Sequence, residues 1–240
     1  MSARLAHRLA ELAGCSRADA ELYIQNGWVS VDGHVVEAPN HPVEGERITL
    51  ADDARLEPAE PATILLHKPA GVDALHGAAA LVTPDTRWAG DPSGVRLLQR
   101  HFHRLTALAP LDKDASGLMV FTQDGRVWRR LTEDAAAIEH EYLVEVRGEP
   151  APYSLRKLNH GLVVDGRELP PCKVSWQNET RLRFAIKDVR EGQLRAMCAQ
   201  VGLEVVTIRR LRIGRIPIGK RPEGAMPPGQ WRYLPAGEKF

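Results

Sequence analysis

Beyond residue 61 the chain is a succession of short strand-type runs broken by short helical stretches, with no regular alternation of strand and helix. Ile64-Leu65-Leu66 and Leu118 to Thr122 have the unbroken apolar character of buried strands. Tyr142 to Val146 alternates as a strand, Leu182 to Ile186 is another, and residues 204 to 213 form a long strand that carries basic side chains. Helices suit residues 126 to 133, the stretch from Pro152 to about Gly161, and residues 191 to 201. Val163-Val164 followed by Asp165-Gly166 predicts a hairpin. Strands mixed with short helices in this way point to an α+β body with a mixed, largely antiparallel sheet.

The stretch 51 to 61, Ala-Asp-Asp-Ala-Arg-Leu-Glu-Pro-Ala-Glu-Pro, has no periodicity and two prolines, and reads as a linker. Before it lies a small unit of two helices and a hairpin. Leu5, Leu9 and Leu12 share one helical face, and Gly14 ends that helix. Ser16 is placed to cap the next, with Asp19 three residues on. Ala20, Tyr23 and Ile24 face inward along that helix, which stops near Gly27. Val29 and Val31 then alternate with polar residues, Asp32-Gly33 supplies a tight turn, and Arg47 to Leu50 is a further strand.

No apolar run approaches the roughly 20 residues of a membrane span, and Met1 to Gly14 does not read as a secretory signal. The three cysteines are far apart and form no C-x-x-C pair, which argues against a disulfide framework or zinc cluster and fits a reducing, cytoplasmic setting. No histidine pattern supports a metal site either: His101 and His103 with His140 or His160 lack H-E-x-x-H spacing. Net charge is only +1, but it is unevenly spread. Between Arg181 and Arg221 eleven Lys or Arg stand against three acids, Asp188, Glu191 and Glu204, a local +8. Concentration of that kind suggests a site for a polyanion, with Arg209, Arg210 and Arg212 as candidate phosphate contacts; a solvated face is the alternative. The segment up to residue 50 holds four Arg against seven acids, so any polyanion contact there is local.

Chemistry is best placed in Leu111-Asp112-Lys113-Asp114-Ala115-Ser116-Gly117-Leu118, where a carboxylate sits in a loop just before an apolar strand. Loops held by a rigid sheet often carry catalytic groups, although an Asp in a turn commonly just bonds its own backbone.

Four segments give the body a resemblance to the RsuA family of bacterial pseudouridine synthases, over residues 61 to 235. His67-Lys68-Pro69-Ala70-Gly71-Val72 resembles the family's opening K-P-x-G turn, and Leu111 to Leu118 its L-D-x-x-T-S-G-L loop. Glu141-Tyr142-Leu143-Val144 resembles its K-x-Y-x-V strand. Arg209-Arg210-Leu211-Arg212-Ile213-Gly214 with Pro228-Gly229-Gln230-Trp231-Arg232 resembles its C-terminal signature. The smaller unit is similar to the S-four RNA-binding domain, first named from a ribosomal protein, through Cys15-Ser16-Arg17-Ala18-Asp19-Ala20 and Gly27-Trp28-Val29-Ser30-Val31-Asp32-Gly33. These likenesses imply an S-four-like domain over 1–55 and a catalytic domain of the pseudouridine synthase type over 61–240. They imply Asp112 as nucleophile, Tyr142 against the flipped base, and Lys68 and, in the small domain, Arg4, Ser16, Arg17 and Asn26 near RNA. They imply no cofactor or metal, a cytoplasmic monomer, and a specific uridine of ribosomal RNA, with transfer RNA second.

The chain also departs from the family pattern. Pro110 replaces the Arg before L-D, Ala115 the Thr after it, and His140 the Lys of K-x-Y. By the same resemblance, Cys198 stands where the family places the Arg that pairs with the nucleophile, and Arg195, three residues earlier, is the expected substitute. An active isomerase and an RNA-binding protein with a decayed site, acting in ribosome assembly, both remain open on these residues. A phosphate-loop spacing, Gly214 to Lys220, is discounted because Arg221 and Pro222 follow it.

Overall fold

A computed structural model describes residues 3–160, 162–219 and 225–240. The chain separates into two compact units. One holds the residues up to Pro61 together with Arg96–His103, and the other holds Ala62–Val95 and Arg104–Phe240.

The smaller unit follows its sequence closely. It comprises β1 (Ala3–Arg4), α1 (Leu5–Ala13), α2 (Arg17–Gln25), β2 (Val29–Val31), β3 (His34–Val35), β4 (Pro42–Val43) and β5 (Ile48–Leu50). Gly14 closes α1 in the left-handed region at φ 63°, a conformation that favours glycine. Ser16 Oγ accepts from Asp19 N at 3.1 Å and so starts α2. The Asp32-Gly33 turn, at φ 49° and 84°, joins β2 to β3, and β5 pairs on the other side of β2. Leu5, Leu9, Ala20, Ile24, Val29 and Val31 form the core. Leu12, expected on the buried face of α1, is instead 57% exposed.

Arg96–His103 completes this unit, a part of the chain that its sequence neighbours assign to the body. The Arg100 guanidinium bonds Gln25 O at 3.1 Å, Glu60 O at 3.0 Å and Asn26 Oδ1 at 3.2 Å. Arg96 lies 4.0 Å over the Trp28 ring. These polar ties carry no periodic signal for a sequence reading to detect.

The larger unit is α+β. Its strands are β6 (Thr63–Lys68), β7 (Thr106–Leu108), β8 (Ser116–Thr122), β9 (Glu139–Arg147), β10 (Val163–Val164), β11 (Arg167–Glu168), β12 (Lys173–Trp176), β13 (Arg181–Lys187), β14 (Glu204–Ile213), β15 (Ile216–Pro217) and β16 (Trp231–Tyr233). Its helices are α3 (Gly125–Thr132), α4 (Ser154–Asn159) and α5 (Gln193–Ala199). One sheet runs β12-β13-β9-β14-β8-β6-β16, with β15 beside β14 and β7 beside β8. Every pairing in it is antiparallel except β14 with β8, so the sheet is mixed but largely antiparallel, as expected. The expected 163–168 hairpin forms as β10 and β11. No helix among the described residues is long and apolar enough to cross a membrane.

Period-two alternation gives β9, β13 and β14 two different faces. Tyr142, Val144, Phe184, Leu182 and Ile208 point to one side, where Leu194, Met197 and Val201 pack over them. Each such buried aliphatic or aromatic side chain stabilises the fold by about 1.5–3 kcal/mol. The other face carries Glu141, Leu143, Arg183 and Arg209.

The parallel junction of β8 and β14 has one strict requirement. Gly117 adopts φ 119°, and a Cβ there would run into the backbone of Arg210. A Gly117→Ala variant is therefore expected to lose at least about 2 kcal/mol of stability, from a disfavoured φ and a backbone clash together. Urea unfolding of wild type and variant measures it; a difference under about 0.5 kcal/mol contradicts the close approach.

Candidate active site

The loop before β8 is held from beneath by two buried cations. Lys68, at the end of β6, is fully buried, and its ammonium donates to Pro69 O (3.1 Å), Val72 O (2.7 Å) and Lys113 O (3.1 Å). Burial pushes its pKa below the usual lysine value. Gly71 N donates to the same Lys113 carbonyl at 2.8 Å, so the K-P-x-G turn and the Asp112 loop are one bonded unit. Arg210, on β14 and only 1% exposed, donates from Nε to Leu118 O at 2.7 Å, from Nη1 to Pro110 O at 3.3 Å and from Nη2 to Ala109 O. Ala109 itself has φ 50°, a left-handed conformation that these bonds help to hold.

Two sequence expectations are corrected here. Lys68 and Arg210, placed near RNA from the sequence, have their donors turned inward onto carbonyls and are closed to phosphate. Arg212 is also spoken for, by Glu139 (2.7 Å), Glu141 (3.3 Å) and Gly214 O. Arg209 is half-buried, and its Nε is buried without a hydrogen-bond partner among the described residues. Gly161, Lys220, Arg221 and Pro222 lie outside the described residues.

Above these cations lies a cavity of about 550 Å³, within the 300–1,000 Å³ range of small-ligand pockets. Asp112, Tyr142, His140, Arg210, Lys113 and Arg190 are on its wall. Asp112 is half-buried, and its Oδ2 accepts from Gly192 N at 3.2 Å, at the start of α5. Gly192 adopts φ 71°, which aims that N–H at the loop. Tyr142 is 3% exposed, with the Arg210 guanidinium carbon 6.0 Å from its ring centroid. His140 Nδ1 lies 3.3 Å from the Tyr142 hydroxyl. Burial, and then the charges of Arg210 and Arg212, push the His140 pKa down to about 3, so its ring is neutral near pH 7.

Asp112 and Tyr142 thus meet in one cavity, as the sequence suggested. Arg195 does not join them. Its guanidinium pairs with Asp114, two residues beyond, and donates to Val205 O at 3.1 Å. Cys198, read as the position of the lost partner of Asp112, is fully buried in the apolar core, which pushes its thiol up to about 12. The side chain therefore points into packing and not toward the loop. His140, Gly192 and Asp114 were not selected as site residues. A backbone donor has no sequence signature, and His140 differed from its motif without saying what it touches.

In the small unit Ser16 and Arg17 serve α2, the latter through Glu21 at 3.1 Å, and Arg4 donates to Asn40 O at 2.8 Å. Asn26 is held at both ends of its amide, by Arg100 and by Glu57 O. It is a tie within the unit, not an open RNA contact.

The family model described as RNA pseudouridylate synthase matches residues 62–200, more than half of the chain. The chain belongs to the RNA pseudouridylate synthase family. Relatives of the RsuA type carry the likeness further. The ribosomal large subunit pseudouridine synthase B of Bacillus subtilis (strain 168) is 28% identical over 217 residues, 86% of this chain and 84% of that protein. The dual-specificity RNA pseudouridine synthase RluF of Escherichia coli (strain K12) is 27% identical over 215 residues, 88% and 70% respectively. A crystal structure of a pseudouridylate synthase superposes with a TM-score of 0.60 at 21% identity, over 96% of this chain and 95% of that one, and shares its fold. The α+β body is thus a pseudouridine synthase fold, and its activity is uridine isomerisation in RNA.

Two outcomes follow from the geometry. Cys198→Arg would drive a cation into a packed core and is expected to destabilise the protein by about 3 kcal/mol or more, without raising turnover. Chemical unfolding with a parallel activity assay checks it; a stable, faster variant places residue 198 at the cavity after all. His140 and buried His67 both have lowered pKa values, chiefly through burial. Below pH 6.5 the unfolded chain takes up protons that these rings refuse in the folded state, so stability is expected to fall from pH 6.5 toward pH 4. A His140→Gln/His67→Gln variant should flatten that part of a melting-temperature profile, and an unaltered slope assigns it to other groups.

Proposed function

We propose that the cavity receives a single flipped uridine of ribosomal RNA and that Asp112 is the nucleophile that isomerises it. What carries the reading is that the half-buried Asp112 and Tyr142 line one nucleoside-sized cavity, with Asp112 in a loop fixed by Lys68 and Arg210. An enzyme acting on a base inside a folded RNA must first draw it out of the stack. The Tyr142 ring offers that base an apolar face, and His140 fixes the phenol hydroxyl without adding charge. The Asp112 carboxylate attacks C1′ and displaces N1, and it is displaced in turn when the rotated base bonds C1′. The base turns, C5 bonds C1′, C5 releases its proton and N1 takes one. Product and substrate are isomers, so the balance needs no oxidant and no group donor.

The side chain of Lys113 and that of Arg190 are exposed at the cavity mouth without ion-pair partners among the described residues, and suit the phosphates flanking the flipped nucleotide. The helix-helix-hairpin unit is read as an S-four-like RNA-binding domain, its contribution local because its composition is acidic. Three free cysteines agree with a cytoplasmic protein, and we read it as a monomer. The names of both relatives above place their action on large-subunit RNA or on two RNA specificities, which supports ribosomal RNA as the substrate class.

Asp112→Asn is expected to cut isomerisation by about 10³-fold or more while RNA affinity stays within a few-fold. Tritium release from RNA labelled at uridine C5 measures the first, and filter binding the second. Near-normal turnover in the variant would remove Asp112 from the chemistry. Pseudouridine mapping of RNA from cells with and without this chain names the target, since one site should vanish.

A further inference from the structure

The face of the β12-β13-β9-β14 sheet opposite the cavity has a composition that the isomerisation chemistry does not use. Alternation sends Tyr142, His140 and Arg210 to the cavity side and their neighbours to the other. Register places Lys173, Arg181, Arg183, Lys187, Arg209 and Arg212 on that outer side. Arg147 and Glu204 also lie there as a mutual ion pair, and the other acids are Glu139, Glu141 and Glu145, so the face is net +3. Glu141 is held by Arg183 at 2.8 Å and by Arg212 at 3.3 Å, and Glu139 by Arg212 at 2.7 Å. Lys173, Arg181, Lys187 and Arg209 have no ion-pair partner among the described residues, and the first three are exposed. Glu139 and Glu141 are therefore paired with Arg212 and Arg183, Glu145 lies across from Arg181 in the register without an ion pair to it among the described residues, and Lys173, Arg181 and Lys187 leave the exposed part of the face net positive.

We infer that this outer face is a second RNA surface, one that takes the phosphate backbone of a double-helical arm of the substrate; the inference rests on the RNA-modifying reading above. Along β13, Arg181 and Lys187 are about 20 Å apart at 3.3 Å per residue, long enough to meet several phosphates of one duplex strand. The face is a sheet surface without aromatic side chains, so it offers single-stranded bases nothing to stack on. Its apolar positions are Leu143 and Ala185, too few for the apolar anchor of a protein interface. A-form duplex RNA is recognised through shape and phosphates, which a flat cationic sheet can engage.

The test uses the full chain and a labelled 20-base-pair RNA duplex with no target uridine to flip, by fluorescence anisotropy across a potassium chloride series. Lys173→Ser/Arg181→Ser/Lys187→Ser is expected to weaken binding about tenfold near 0.1 M salt and to flatten the slope of log K against log salt by about two to three. Arg156→Ser/Lys157→Ser, on exposed positions of α4, is the charge-loss control and should have little effect. An unchanged affinity and slope in the triple variant overturns the proposal. So does an equal loss per charge in the control, which would make net charge the cause. The Asp112→Asn turnover assay is independent of this binding. A normal triple variant alongside a dead Asp112→Asn rejects the outer surface alone, and an active Asp112→Asn rejects the catalytic reading alone.

Discussion

The arrangement around Asp112 depends on two buried cations that have no carboxylate partner among the described residues. Lys68 and Arg210 spend their donors on main-chain carbonyls of the loop and of its flanking turn. A buried charge without compensation is costly, so these bonds are strongly constrained in geometry. They fix the path of residues 109–113, and with it the position of the Asp112 side chain. The close approach of Gly117 to Arg210 belongs to the same constraint, because a side chain at 117 would push away the strand that carries the arginine.

Much of this was legible in the sequence where it rested on period and on turn residues. The β13 and β14 strands, the 163–168 hairpin, the Ser16 cap and the Asp32-Gly33 turn follow from local chemistry and appear within a residue or two of their expected bounds. The meeting of Asp112 with Tyr142 came from motif resemblance, since nothing in spacing brings residues 112 and 142 together. The union of Arg96–His103 with the small unit was not legible at all. It is made by Arg100 and Arg96 reaching polar and aromatic partners far away in sequence.

Charge was the least transferable signal. A net +8 between Arg181 and Arg221 did not distinguish side chains that the fold buries from those it exposes. Counting cannot separate an arginine that is buried on carbonyls from one exposed to solvent. Arg210 is the first kind, Arg212 is neutralised by two glutamates, and Arg181 and Lys187 are the second kind. Lys173, which shares their face, lies outside the counted segment and was missed because the sheet, not the chain, makes it a neighbour of Ala185.

Arg195 shows the same limit on the helix side. Three-residue spacing from position 198 put both on one face, but α5 runs only from Gln193 to Ala199 and buries Cys198 with Leu194 and Met197. The guanidinium is then carried to Asp114 and Val205 O, while Asp112 is met by the backbone N–H of Gly192. Asp114, two residues from Asp112, thus takes the charge that the sequence assigned to Asp112. Adjacent residues on β14 divide in the same way. Arg209 and Arg210 point to opposite faces of one strand, the first toward the outer cationic surface and the second under the cavity. A shift of one residue in that strand would exchange their places, so the close contact of Gly117 with Arg210 keeps Arg210 under the cavity and Arg209 on the opposite face.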